Sequence, residues 1–150
     1  MLREPVVFSP NSLKGQLDYI RQYCSDSCDY RKIIDLFENR DKDKPFFMFN
    51  VTMQNHGGYT DKSFRSTVQL TDYPGRFPQT EQYLSLIRES DKALLELITY
   101  FRRVSEPTVI IFFGDHQPSV ETGFYEELYG KSFNSLTAEE SLKMYVTQYM

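Results

Sequence analysis

Polar and apolar positions along this chain follow two periods. Tyr30, Ile33, Ile34 and Phe37 recur at three- and four-residue spacing. This predicts an amphipathic helix with Asp26 as N-cap and Asp29 three positions on, closed by the polar cluster 39–45. A longer helix is predicted from Thr80 or Glu81 to about Val104, striped by Leu84, Ile87, Leu94, Ile98 and Phe101 and broadened by Leu95 and Leu97. Two short runs lack a helical period. Residues 46–52 and 108–113 are almost continuously apolar and rich in aromatic and β-branched side chains, so they read as strands buried on both faces. Residues 1–23 are irregular to weakly helical, with Ser12 capping a short helix through Tyr19 and Ile20. Residues 123–129 and 137–149 predict two further short helices, and 145–150 has the pattern of a strand beginning. The order strand, long loop, helix, strand is a βαβ unit with a right-handed crossover, which makes the fold class α/β with a mostly parallel sheet.

The chemistry-bearing residues cluster where these strands end. The second strand stops at Gly114, then Asp115 and His116. The first runs into Asn55, His56, Gly57 and Gly58. Parallel strands place both clusters at one sheet edge, where ligands of open α/β sheets bind. Asp115 and His116 offer a hard oxygen and a borderline nitrogen, a donor pair suited to a divalent ion. His56, followed by two glycines, reads as a ligand-binding loop in which backbone can approach closely. Tyr59 and Gln117 flank the clusters as candidate pocket residues. Asp91 falls within the apolar stripe of the long helix and needs either solvent or a partner there. Glu126 and Glu127 read as a solvated helix face. Residues 60–79, with a turn signal at Tyr73-Pro-Gly-Arg76, form a long excursion beside the site.

Composition narrows the function classes. The chain has 150 residues and a net charge of −4 without strong clustering, which argues against a nucleic-acid surface. No segment reaches the ~18 apolar residues of a membrane span, and the N-terminus lacks the apolar run of a signal peptide. Cys24 and Cys28 read first as two free, partly buried thiols. A local disulfide and a metal pair stay open.

The segments Phe49-Asn-Val-Thr-Met-Gln-Asn-His-Gly-Gly-Tyr59 and Phe113-Gly-Asp-His-Gln-Pro-Ser119 together resemble the sulfatase-like family of the alkaline phosphatase superfamily. The closer match is its lipoteichoic acid synthase and phosphoglycerol transferase branch. Ser25-Asp26 and Ser90-Asp-Lys-Ala-Leu94 fit the same pattern. The resemblance implies a three-layer α/β/α domain, of which this chain is a C-terminal portion truncated at both ends. It implies that Asp115 and His116 ligate a divalent ion, Mn²⁺ first, with Mg²⁺, Ca²⁺ or Zn²⁺ as alternatives. It implies that His56, with Asn55, Tyr59 and Gln117 around it, binds substrate. The implied reaction moves glycerophosphate from phosphatidylglycerol to an acceptor through a threonine nucleophile. Neither Thr52 nor Thr108 sits where that nucleophile belongs, so the chain alone is expected to be inactive. The parent is expected at a bacterial cell membrane with an extracellular catalytic domain, this portion being soluble and dimerising through its open sheet edge. Sulfatase or phosphodiesterase chemistry, and a non-catalytic binding or assembly module, are the alternatives.

Overall fold

The computed structural model describes residues 18–150. The first element is a two-stranded antiparallel hairpin, β1 (Tyr19–Ile20) and β2 (Tyr23–Cys24). The helix expected through Tyr19 and Ile20 is replaced there by this hairpin, while Ser12 lies outside the described residues. Arg21 turns the hairpin at φ +56°, in the left-handed region that costs a non-glycine residue strain.

Helix α1 (Asp26–Glu38) follows at once. Its N-cap is Ser25, one residue ahead of the expected Asp26; Ser25 Oγ accepts from Cys28 N at 3.1 Å. The shift has a physical cause. Asp26 turns its carboxylate inward to Ser90, leaving the serine to satisfy the open amide of the first turn. At the far end Asn39 Nδ2 donates to Asp35 O at 2.8 Å, and the Arg40 guanidinium lies 3.6 Å from the Phe37 ring centroid and pairs with Glu106.

Helix α2 (Pro78–Phe101) packs along α1 and spans about 36 Å at 1.5 Å per residue. Proline at N1 has no amide to leave open, and the next two amides, of Gln79 and Thr80, donate to the Glu121 carboxylate at 2.6 and 3.0 Å. The core lies between the two helices: Tyr30, Ala93, Leu94 and Leu97 are buried, with Ile33, Ile34, Ile98, Phe101 and Phe112 packed around them. Two residues of the expected stripe are exposed, Ile87 and Leu95, and so is Asp91. Besides Leu86, the first half of α2 buries the polar Thr80, Glu81, Gln82 and Ser85, and Ser90 follows just beyond them.

That polar face holds the 59–72 excursion. Ser85 Oγ accepts from Thr67 N and Val68 N at 2.9 Å each, Glu81 accepts from Leu70 N, and Gln82 both accepts from Asp61 N and donates to Asp61 O. An irregular loop cannot pair its own backbone, so the helix beneath it supplies donors and acceptors in place of methyl groups.

Residues 46–52 and 108–112 form no ladder among the described residues. The expected burial on both faces is not observed. Phe46 packs on Phe37 and Phe112 on the core, whereas Phe47, Phe49, Val51, Val109, Ile111 and Phe113 point outward, Phe47 being 88% exposed. Among the described residues the segment 149–150 supplies a partner: Phe113 bridges Tyr149 antiparallel, and Phe112 and Met150 exchange both backbone hydrogen bonds at 2.8–2.9 Å. This agrees with a strand beginning within 145–150. Helix α3 (Thr122–Tyr129), a 3₁₀ turn (Phe133–Ser135) and helix α4 (Ala138–Lys143) complete the chain. α4 is shorter than the helix expected over 137–149. Glu126 and Glu127 do more than face solvent: Glu126 accepts from Phe133 N, and Glu127 pairs with Arg76 and Tyr73.

Candidate active site

The His56 loop is built from three sides. Below it, Ser90 Oγ donates to Asp26 Oδ2 at 2.5 Å and accepts from Gln54 Nε2 at 3.0 Å and Asn55 Nδ2 at 2.7 Å, which uses the whole capacity of one hydroxyl. Gln54, only 1% exposed, closes the ring by accepting from Asp26 N at 2.9 Å. Burial raises the Asp26 carboxyl above its ordinary value, against the lowering effect of the Ser90 and Thr52 hydroxyls.

Arg21 clamps the loop from the side. Its guanidinium donates to the carbonyls of Gly58 (3.2 Å), Gln54 (3.1 Å) and His56 (2.6 Å), and it lies between the rings of Tyr23 and Tyr59. The strained turn at Arg21 is what delivers it there. Gly58 has φ +89°, a conformation that a side chain would strain. Tyr59 is buried, edge-on to Tyr83, and its hydroxyl donates to Asn55 O at 2.8 Å. Asn55 and Tyr59 thus hold the loop, while the His56 ring is exposed at its tip with Tyr23 Oη 3.1 Å from Nδ1.

The second motif is more open. Asp115 and His116 side chains are 82% and 64% exposed, and Asp115 Oδ2 lies 3.5 Å from His116 Nε2. His116 Nδ1 is 2.8 Å from Gln117 O. A carbonyl can only accept, so Nδ1 carries a proton, and in the neutral ring Nε2, 3.5 Å from Asp115 Oδ2, is the nitrogen that holds the lone pair. One oxygen and one nitrogen lone pair therefore converge, with the imidazole oriented by backbone in the way metal-binding histidines are. These residues fit a divalent ion, as two of the ligands it needs. No group of three His, Cys, Asp or Glu gathers around a common point among the described residues. Gln117 donates through Nε2 to Val146 O at 2.6 Å, tying the motif to the C-terminal segment, and Thr147 Oγ1 donates to Gly114 O. The Tyr59 phenol is pushed up to about 12, by burial first and then by the neighbouring Tyr83, with Arg21 opposing the rise. Cys24 and Cys28 are not joined in a disulfide, and burial pushes the Cys24 thiol up to about 12.

Gln54 and Ser90 fall within segments that carry the family resemblance, but the sequence assigns neither a role. Arg21 and Tyr23 lie outside those segments, and nothing local points to them.

The chain belongs to the Sulfatase family, which matches residues 5–141 and whose domain has an alkaline phosphatase-like α/β fold. It is 31% identical over 101 residues, 63% of its length, to a Rhizobium meliloti (strain 1021) protein named for cyclic beta-1,2-glucan modification. It is 25% identical over 100 residues, 67% of its length, to the capsular polysaccharide biosynthesis protein RkpI of the same strain. The chain spans 15% and 17% of the lengths of these relatives. No solved structure matches it significantly. No described helix is long and apolar enough to cross a membrane.

Proposed function

We propose that this chain carries the anion-binding loop and part of the metal site of a phosphoglycerol transferase. The enzyme would move glycerophosphate from phosphatidylglycerol to a carbohydrate acceptor. The observation that carries the reading is the His116 arrangement, in which Nδ1–H is held by Gln117 O and Nε2 is left to converge with Asp115. A divalent ion bound there, Mn²⁺ by preference, supplies Lewis-acid polarisation of a phosphoryl oxygen. His56 engages the same phosphoryl group from the Arg21-clamped loop, and Asn55, Tyr59 and Gln117 keep the two motifs in place. The nucleophilic threonine is not among these residues. The two relatives are named for work on polysaccharides, which supports a carbohydrate acceptor. We infer also that 46–52 and 108–113 are strands of a mostly parallel sheet in a three-layer domain, a reading supported by their continuous apolar character and by the family match.

Addition of Mn²⁺ to the labelled chain should broaden the resonances of Asp115 and His116, and D115A or H116A should abolish the effect. Glycerophosphate should then shift His56. No broadening at residues 115–116 would overturn the metal reading. A His56 response to sulfate esters but not to glycerophosphate would favour the second reading, sulfate-ester hydrolysis, which the name of the family supports.

A further inference from the structure

His56 is the exposed tip of an otherwise fully bonded loop, and its chemistry depends on which ring nitrogen carries the proton. Nδ1 lies 3.1 Å from Tyr23 Oη, and Nε2 bonds no described group. A tyrosine hydroxyl can donate or accept at that distance, so the contact alone decides nothing. The second neighbour of the hydroxyl does. Gln22 Nε2 donates to Tyr23 Oη at 3.0 Å, filling a lone pair of the phenol oxygen. That leaves the phenol its proton and one lone pair. A phenol is a better donor than acceptor and an imidazole nitrogen a strong acceptor, so the favoured arrangement sends the phenol proton to the Nδ1 lone pair. Neighbouring groups hold Tyr23 in place. Its ring is tilted against His56 at 5.7 Å between centroids, and the Arg21 guanidinium lies over it at 5.4 Å.

We propose that Tyr23, backed by Gln22, is a positioning residue that fixes neutral His56 as its Nε2–H tautomer and points that N–H out of the loop. The two histidines of the chain then have opposite tautomers. His116 keeps its Nε2 lone pair for a cation, because Gln117 O takes its Nδ1–H. His56 presents a donor, suited to an oxygen of a phosphoryl or sulfuryl ester and unsuited to a metal ion. Such a division keeps a cation at one motif and an anion at the other. The use of the His56 N–H on substrate rests on the phosphoryl-binding reading above, whereas the tautomer itself does not.

The test is ring-nitrogen NMR on the ¹⁵N-histidine-labelled chain at alkaline pH, where imidazoles are neutral. H56Q assigns the two rings. The expected wild-type spectrum has His56 Nδ1 at the pyridine-type limit and Nε2 at the pyrrole-type limit, with His116 reversed in the same sample. Y23F should move His56 Nδ1 away from its limit, toward the averaged mixture of a free imidazole, and leave His116 unmoved. Q22L, at an exposed turn position that the fold tolerates, should move it the same way by less. A wild-type His56 protonated at Nδ1, or a Y23F resonance that stays where wild type has it, would overturn the proposal. Titration with inorganic phosphate separates it from the parent reading. If the tautomer is as expected but phosphate moves no His56 resonance, substrate binding fails and the tautomer assignment stands.

Discussion

Ser90 Oγ has one proton and two lone pairs, and all three are spent inside the molecule on Asp26, Gln54 and Asn55. S90A therefore removes one small group and takes a partner from the buried Asp26 carboxyl, from Gln54, which keeps Leu86 O, and from the half-buried Asn55. The expected cost is about 3 kcal/mol, more than a typical surface substitution, read as a lower urea midpoint at unchanged slope. The same node has a pH signature. Because Asp26 is raised in the folded state, folding holds its proton more tightly than the unfolded chain does. Its contribution is then most favourable below the ordinary aspartate value near ~3.9 and declines as pH rises through the higher folded value. The stability of wild type relative to D26N should accordingly fall across that window, and a flat difference would contradict the assignment.

At the scale of elements, α2 shows a helix right in extent whose buried face is mixed. Its period is legible from the sequence, and the expected span, from Thr80 or Glu81 to about Val104, differs from the observed one by two or three residues at each end. Leu94, Leu97, Ile98 and Phe101 of the expected face pack in the core, whereas the first half also buries polar side chains, because the loop laid across it demands hydrogen bonds. The N-terminus of this helix depends on a distant residue. Glu121 receives the amides of Gln79 and Thr80 and the Thr80 hydroxyl, placing a carboxylate at the positive end of the helix dipole. E121A should cost about 1–2 kcal/mol, measured by thermal or urea unfolding. E121Q, which keeps one acceptor oxygen and loses the other and the charge, should recover part of the loss.

At the scale of the molecule, the outward row of Phe47, Phe49, Val51, Val109 and Ile111 is the least satisfied surface among the described residues. Apolar side chains beside unpaired backbone are a template for association. The chain is expected to self-associate in sedimentation velocity. The triple variant F47T/F49T/V51T, which keeps β-branched character while removing aromatic area, should shift it toward monomer. Its unfolding midpoint should move little, since all three residues point away from the α1–α2 core. Persistence of the same oligomer would show that another surface is responsible.

What the sequence by itself determined is local: the two helices, the two extended apolar runs, the polar clusters that follow them and the identity of the two histidines. Each is a matter of period or of neighbouring residues, so each is legible without a fold. The cap at Ser25 was missed by one position because the direction taken by Asp26 depends on Ser90, 64 residues away. Tertiary structure alone decided which groups face each other across such separations. It placed Arg21 on three carbonyls of the His56 loop and Tyr23 on the imidazole, through a strained turn that no periodicity announces. Hydrogen bonds are directional and short-ranged. The roles of the two histidines, one set by Tyr23 and the other by a backbone carbonyl, therefore existed only once the chain had folded around them.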